Sequence, residues 1–253
     1  MQGIAATLFG LLGFIGGANA VPITASGGGL SASADFTVVG GNLQVVLTNT
    51  GPNDVLVPGN VLMAVFFDLN GVGVLTPVSA AVTAGSTVRY AALGAGGVGA
   101  GWAYKGGLSG LPGGASEGIS AAGYSSPSFG PSGNFGCGAN CVMVNGLDYG
   151  LLSLGDNPAT GNAGVTGKGP LIQDSVTFLL SGLPGGFTDD DLSLSNVAFQ
   201  YGTALANCTG DCNPEPCIGA CQPTTVPEPN MPLLIGAALV GWAVARRRFF
   251  GRA

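Results

Sequence analysis

The stretch "FTVVGGNLQVVL", residues 36–47, decides the fold. Two apolar runs flank Gly40-Gly41, and a Gly-Gly pair between strand-forming runs predicts a two-residue β-hairpin, because both turn positions need positive φ. Leu43, Val45 and Leu47 alternate with Gln44, Val46 and Thr48, the period of a strand with one buried face. Working outward, "VLMAVFFDLNGVGVLTPV" (61–78) is a continuous apolar run, hence a central strand, with a hairpin turn at Asn70-Gly71. A third hairpin is expected at Asn145-Gly146 within "CVMVNGLDYGLL" (141–152). "SVTFLLSGL" (175–183) places Val176, Phe178 and Leu180 on one face, and "LSNVAFQYG" (194–202) supplies a further strand. Short strands, frequent turn residues and no amphipathic helix predict an all-β body, an antiparallel β-sandwich or jelly roll.

Composition supports this and limits the chemistry. The 253 residues include 47 Gly and 16 Pro and no His. Strong helix formers are scarce outside the tail, whereas Val, Leu and Phe suffice for a core. Between Gly94 and Gly136 the chain is rich in glycine and carries two charges, Lys105 and Glu117. One strand is expected there, around "GWAYKG" (101–106), between long loops. All 13 acids lie between Asp35 and Glu228 with three basic residues, Arg89, Lys105 and Lys168, among them, a net charge of −10. Such a body repels phosphate backbones, so no nucleic-acid partner is expected.

The two ends read as addresses. "GIAATLFGLLGFIGG" (3–17) is uncharged and apolar, and Ala18-Asn19-Ala20 follows it. This is the pattern of a signal peptide (1–20) whose cleavage by signal peptidase at Ala18 and Ala20 starts the mature chain at Val21. The "VPITASGGG" beyond it reads as turn-like. At the other end, Met231–Ala245 is uncharged and apolar, and Arg246, Arg247 and Arg248 follow directly. This predicts a single transmembrane helix over 231–245, held by snorkelling arginines that act as a stop-transfer signal. Its length is below the roughly 18–20 residues that span a typical bilayer.

Just ahead of that span stands Val226-Pro227-Glu228-Pro229. A Pro-Glu-Pro triplet, one apolar span and a terminal arginine cluster, in that order, resemble the PEP-CTERM sorting signal of bacterial exosortase substrates. The body segments "FDLNGVGVLTPVSA", "WAYKGGLSGLPGGASEGIS" and "NVAFQYGTAL" are also similar to ectodomains of such surface proteins. The resemblance implies an exosortase-type sorting enzyme as partner and cleavage near the triplet. It also implies transient anchoring in the inner membrane with the ectodomain outside the cytoplasm, and delivery to the cell surface or an exopolysaccharide-containing matrix. The division expected is a signal peptide at 1–20, a β-sandwich ectodomain at 21–206, a Cys/Pro-rich stalk at 207–226 and a sorting signal at 227–253.

Six cysteines form three C-x3-C pairs: Cys137/Cys141, Cys208/Cys212 and Cys217/Cys221. In an oxidising compartment an even count reads as disulfides, with each pair closing its own loop as the first choice. A cross-linked arrangement within 208–221 is the alternative, and a four-thiolate metal site a weaker one.

Without histidine, Ser-His-Asp and Cys-His catalysis are excluded, as are His-based zinc sites. Gly94-x-Gly96-x-x-Gly99 matches the dinucleotide fingerprint by letter, but "GAGWAYKG" follows where its helix would have to begin. The expectation is a non-enzymatic protein with no catalytic residues and no cofactor. Asp189, Asp190 and Asp191 are calcium candidates by their hard oxygens, weighed against a solvated loop. Two alternatives stand beside the leading reading. One is a binding module for carbohydrate or matrix, assisted by calcium, with loops after Phe67 or near Asp189 and the aromatics Trp102, Tyr104 and Tyr124. The other is a secreted hydrolase using two carboxylates.

Overall fold

A computed structural model describes residues 20–122, 129, 132–141, 144, 146–204 and 217–219. The expected signal peptide up to Asn19, the Pro-Glu-Pro triplet, the apolar span and the terminal arginines all lie outside the described residues.

The Gly40-Gly41 turn forms as the sequence requires. β2 (Leu30–Val39) and β3 (Asn42–Asn49) pair with Val39 opposite Asn42. Gly40 and Gly41 have φ of 58° and 77°, the left-handed conformation of a type I′ turn. Leu43, Val45 and Leu47 are fully buried while Gln44, Val46 and Thr48 are half-buried. The strand pattern therefore sets both the register and the buried face.

This hairpin is the centre of a five-stranded antiparallel sheet. β1 (Val21–Gly27) extends it on one side. β11 (Ser175–Ser181) and then β5 (Thr76–Val82) extend it on the other. Val176, Phe178 and Leu180 of β11 are buried on one face, as their spacing predicts. The "VPITASGGG" segment is a correction. It is not turn-like over its length, because Val21–Gly27 pairs fully with β2 and only Gly28-Gly29 turn. Pro22 is tolerated because the strand is at the sheet edge.

The second sheet runs in the order β13 (Cys217–Gly219), β12 (Leu194–Tyr201), β4 (Leu62–Leu69), β9 (Leu151–Leu152), β10 (Leu171–Gln173), β6 (Thr87–Arg89). β8 (Glu117–Ser120) also pairs with β4, and β7 (Ala103–Lys105) pairs with β8. Its pairs are antiparallel except β9 with β10. β4 is buried at every position but Asp68, as a central strand should be. The turn at Asn70-Gly71 is no hairpin: β4 and β5 lie in different sheets, so it carries the chain across the core. Gly146–Tyr149 is a turn and β9, the strand that follows it, pairs with β4 and β10; Val142, Met143 and Asn145 of the expected hairpin lie outside the described residues. Residues 217–219, read as stalk, contribute the edge strand β13.

The two sheets share one apolar core. Phe36 of β2 packs edge-on against Phe67 of β4, with ring centroids 5.2 Å apart. Trp102 and Phe135 both pack against Phe178 of β11, at 5.0 and 5.1 Å. Full burial of each such ring contributes about 2–3 kcal/mol. Two short helices, α1 (Gly97–Gly101) and α2 (Ala163–Thr166), have no counterpart in the sequence pattern.

α1 accounts for the Gly-x-Gly-x-x-Gly letters without a nucleotide. A Cβ on Gly99 would lie 1.8 Å from the Phe135 carbonyl oxygen, and one on Gly101 would lie 2.0 Å from the Tyr149 ring. The glycines let this helix press against its neighbours.

Candidate functional site

Two of the three aromatics expected to meet sugars, Trp102 and Tyr104, are core residues. Trp102 is fully buried and its indole N–H donates to the Tyr149 carbonyl at 2.9 Å. Tyr104 is 3 % exposed and its hydroxyl accepts the Leu75 N–H at 3.0 Å. Tyr124 lies outside the described residues.

Two of the three acidic candidates, Asp189 and Asp191, are used in the fold. Thr188 and Asp191 form a capping box around the 3-10 turn Asp189–Asp191. The Asp191 carboxylate accepts the Thr188 N–H and hydroxyl at 2.8 and 2.9 Å, and these bonds lower its pKa. Asp189 accepts the Val38 N–H and so ties this turn to the first hairpin. Asp190 is exposed. After Phe67, Asp68 accepts the N–H and hydroxyl of Ser116, both at 2.6 Å, and the Asn196 amide at 2.6 Å. Asn70 bonds Ser193 and Ser195. Among the described residues, no three His, Cys, Asp or Glu side chains are grouped to hold a metal.

Sequence reading missed the two buried carboxyls. Glu117 of β8 is 5 % exposed, and one of its carboxyl oxygens, Oε2, has no hydrogen-bond partner. It stands opposite Phe67 on β4. Burial pushes its pKa up to about 7; the Tyr104 hydroxyl, hydrogen-bonded to it, pulls the other way, and the Asp68 charge adds to the rise. Burial likewise drives the Tyr104 phenol well above its ordinary range. The only hint in the sequence is an acid within the small-residue run "ASEGIS" (115–120).

Asp156 is 6 % exposed, with Oδ2 unpartnered and Oδ1 accepting the Val55 N–H at 2.8 Å. Its pKa is raised chiefly by burial, against the Val55 bond; Asp54 adds to the rise and Arg89 offsets it. Arg89 itself is committed to Gln173, donating through Nε and Nη2 at 2.8 and 2.5 Å. Nearby, a cavity of about 120 Å³ is lined by Gly28, Asn49, Asn53, Asp54 and Ser153, among others. Asp54 is its one carboxylate, and that group already accepts from Asn157 N–H and the Thr160 hydroxyl. The cavity therefore offers polar walls without a second acid for hydrolysis.

Of the cysteines, Cys137 and Cys141 are disulfide-bonded to each other, the local pairing expected for them. They flank the 3-10 turn Gly138–Asn140. The side chains of Cys208, Cys212, Cys217 and Cys221 lie outside the described residues. So does Ala18; Ala20 is exposed, and β1 starts at the next residue.

Comparison with known proteins bears on the tail. Residues 225–248 match the family model of the PEP-CTERM protein-sorting motif. A search of curated proteins and a search of solved structures found no match. The motif implies an exported protein, anchored in a membrane while an exosortase-type system sorts it. It covers Val226 to Pro229 and extends through Arg248, the residues on which the sequence resemblance rests.

Proposed function

We propose that this chain, carrying a PEP-CTERM motif over residues 225–248, is a non-enzymatic surface or extracellular-matrix protein whose body is a jelly-roll-like sandwich. The motif is the observation that carries this reading. Signal peptidase would remove residues 1–20, with Ala18 and Ala20 as the recognition pair. The span 231–245 would hold the chain in the inner membrane, with Arg246–Arg248 on the cytoplasmic side by the positive-inside rule. An exosortase would then cut near Pro227-Glu228-Pro229 and release the body to the surface or to an exopolysaccharide matrix.

The body's chemistry supports a structural role. Trp102 and Tyr104 are spent on the core, and Asp189 and Asp191, two of the acids expected to bind calcium, already accept protein hydrogen bonds. Neither Glu117 nor Asp156, both nearly buried, offers an accessible carboxylate pair for hydrolysis.

The test is a triple substitution, Pro227→Ala, Glu228→Ala, Pro229→Ala, in the native host. The variant should accumulate in the membrane fraction with its tail intact while the wild type is released. Equal release of both would overturn the sorting role of the triplet.

A further inference from the structure

We propose that Asn70 modifies itself: the Gly71 backbone nitrogen attacks the Asn70 side-chain amide and turns the residue into aspartate and isoaspartate, loosening the crossing between the sheets. Two conditions select this residue. The attacking nitrogen must be free and uncrowded, and the amide must stand in solvent. Among the described residues, Asn70 is the one asparagine followed by glycine, which has no side chain to obstruct its nitrogen. Both residues of the turn are exposed, and among the described residues nothing bonds the Gly71 N–H. A Cβ built on Gly71 would meet no atom within 4 Å. Elsewhere the conditions fail. Asn157 precedes Pro158, which has no N–H. Asn140 precedes Cys141, whose N–H donates to the Gly138 carbonyl at 3.3 Å. Asn49 and Asn134 are buried.

The Asn70 side chain is held loosely. Its Nδ2 donates to the Ser193 and Ser195 hydroxyl oxygens at 3.4 and 3.2 Å, long for such bonds. The Ser195 hydroxyl also lies 3.4 Å from Oδ1, where donation draws electrons from the side-chain carbonyl carbon. The step balances without a cofactor. The Gly71 nitrogen gives up its proton and bonds to that carbon; the bond from the carbon to Nδ2 breaks, and ammonia leaves with the proton. Water then opens the cyclic imide at either carbonyl, giving aspartate or isoaspartate. The nitrogen attacks in its deprotonated form, so the conversion speeds up as pH rises.

The position gives the change a consequence. Asn70-Gly71 is where the chain leaves β4 for the other sheet, and the Asn70 N–H donates to the Ser193 carbonyl at 2.9 Å, tying the crossing to the start of β12. Aspartate removes the amide donors to Ser193 and Ser195 and places a negative charge close to Asp68, whose carboxylate holds Ser116 and Asn196. Like charges brought together destabilise the folded chain. Isoaspartate routes the main chain through the side-chain carbons. That lengthens the turn, which the Val72 N–H now closes onto the Leu69 carbonyl at 3.4 Å.

Peptide mapping by mass spectrometry of the full-length protein in detergent, aged at pH 6 and at pH 8, tests this. The Asn70 peptide should gain the mass of an amide-to-carboxyl exchange and split into aspartate and isoaspartate forms, faster at pH 8. Exposed Asn162, followed by Ala163, should keep its amide in the same digests. Asn70→Gln keeps a donor and an acceptor but needs a larger ring for the attack, so its peptide should stay amidated. Aged wild type should lose more melting temperature than Asn70→Gln aged alongside it. An Asn70 peptide that keeps its amide in the folded protein, while the same peptide converts in denaturant, would overturn the proposal. Conversion with no greater loss of melting temperature than in Asn70→Gln would overturn the loosening of the crossing.

Discussion

A carboxyl group buried beside a phenol and within reach of another acid keeps its proton longer than a solvated one, and Glu117 is so placed. Its folded pKa, about 7, is above the ordinary carboxyl value, so the folded state binds the proton more tightly than the unfolded one. This contribution to stability is complete below the ordinary carboxyl pKa and is lost as pH rises toward and through 7. Glu117→Gln keeps an acceptor for the Tyr104 hydroxyl and removes the charge. It should raise the melting temperature at pH 8 and leave it nearly unchanged at pH 4.5. A variant that melts lower than wild type at pH 8 would show that the charge is stabilised in place. Asp191 has the opposite sign: its lowered pKa means that acid weakens the capping box at Thr188. No motif announces Glu117. Its burial arises because β8 lies between β4 and β7, a pairing that no local pattern contains.

Elements were legible where two local signals agreed. β3 has both a period-2 pattern and a Gly-Gly turn, and β11 has three apolar residues on one face. β1 was hidden by Pro22 and the glycines after it, residues that favour turns unless an edge strand accommodates them. α1 was hidden because its glycines have low helix propensity and form the helix through tertiary packing. That packing makes a sharp prediction. Gly99→Ala places a methyl against the Phe135 backbone and should destabilise by about 3 kcal/mol or more. Gly59→Ala meets nothing within 4 Å and should change stability by less than about 0.5 kcal/mol. Denaturant unfolding of the two variants measures the contrast, and equal effects would contradict the close approach seen at α1.

At the scale of the whole molecule, β4 in one sheet passes through Asn70-Gly71 into β5 of the other. A two-residue turn has the same letters whether the chain folds back or crosses the core, so strand order was not legible. The tail was legible because its recognition depends on linear order: triplet, apolar span, arginines. Body and tail therefore carry different kinds of information, one spread over distant contacts and the other written along the chain. A tail that is read and removed leaves the mature protein with a defined C-terminus. Intact-mass measurement of the protein recovered from the cell surface tests this most directly. The mass should correspond to a chain that starts at Val21 and ends near Pro227–Pro229, whereas a surface form that retains Arg252 would show that the tail is not removed.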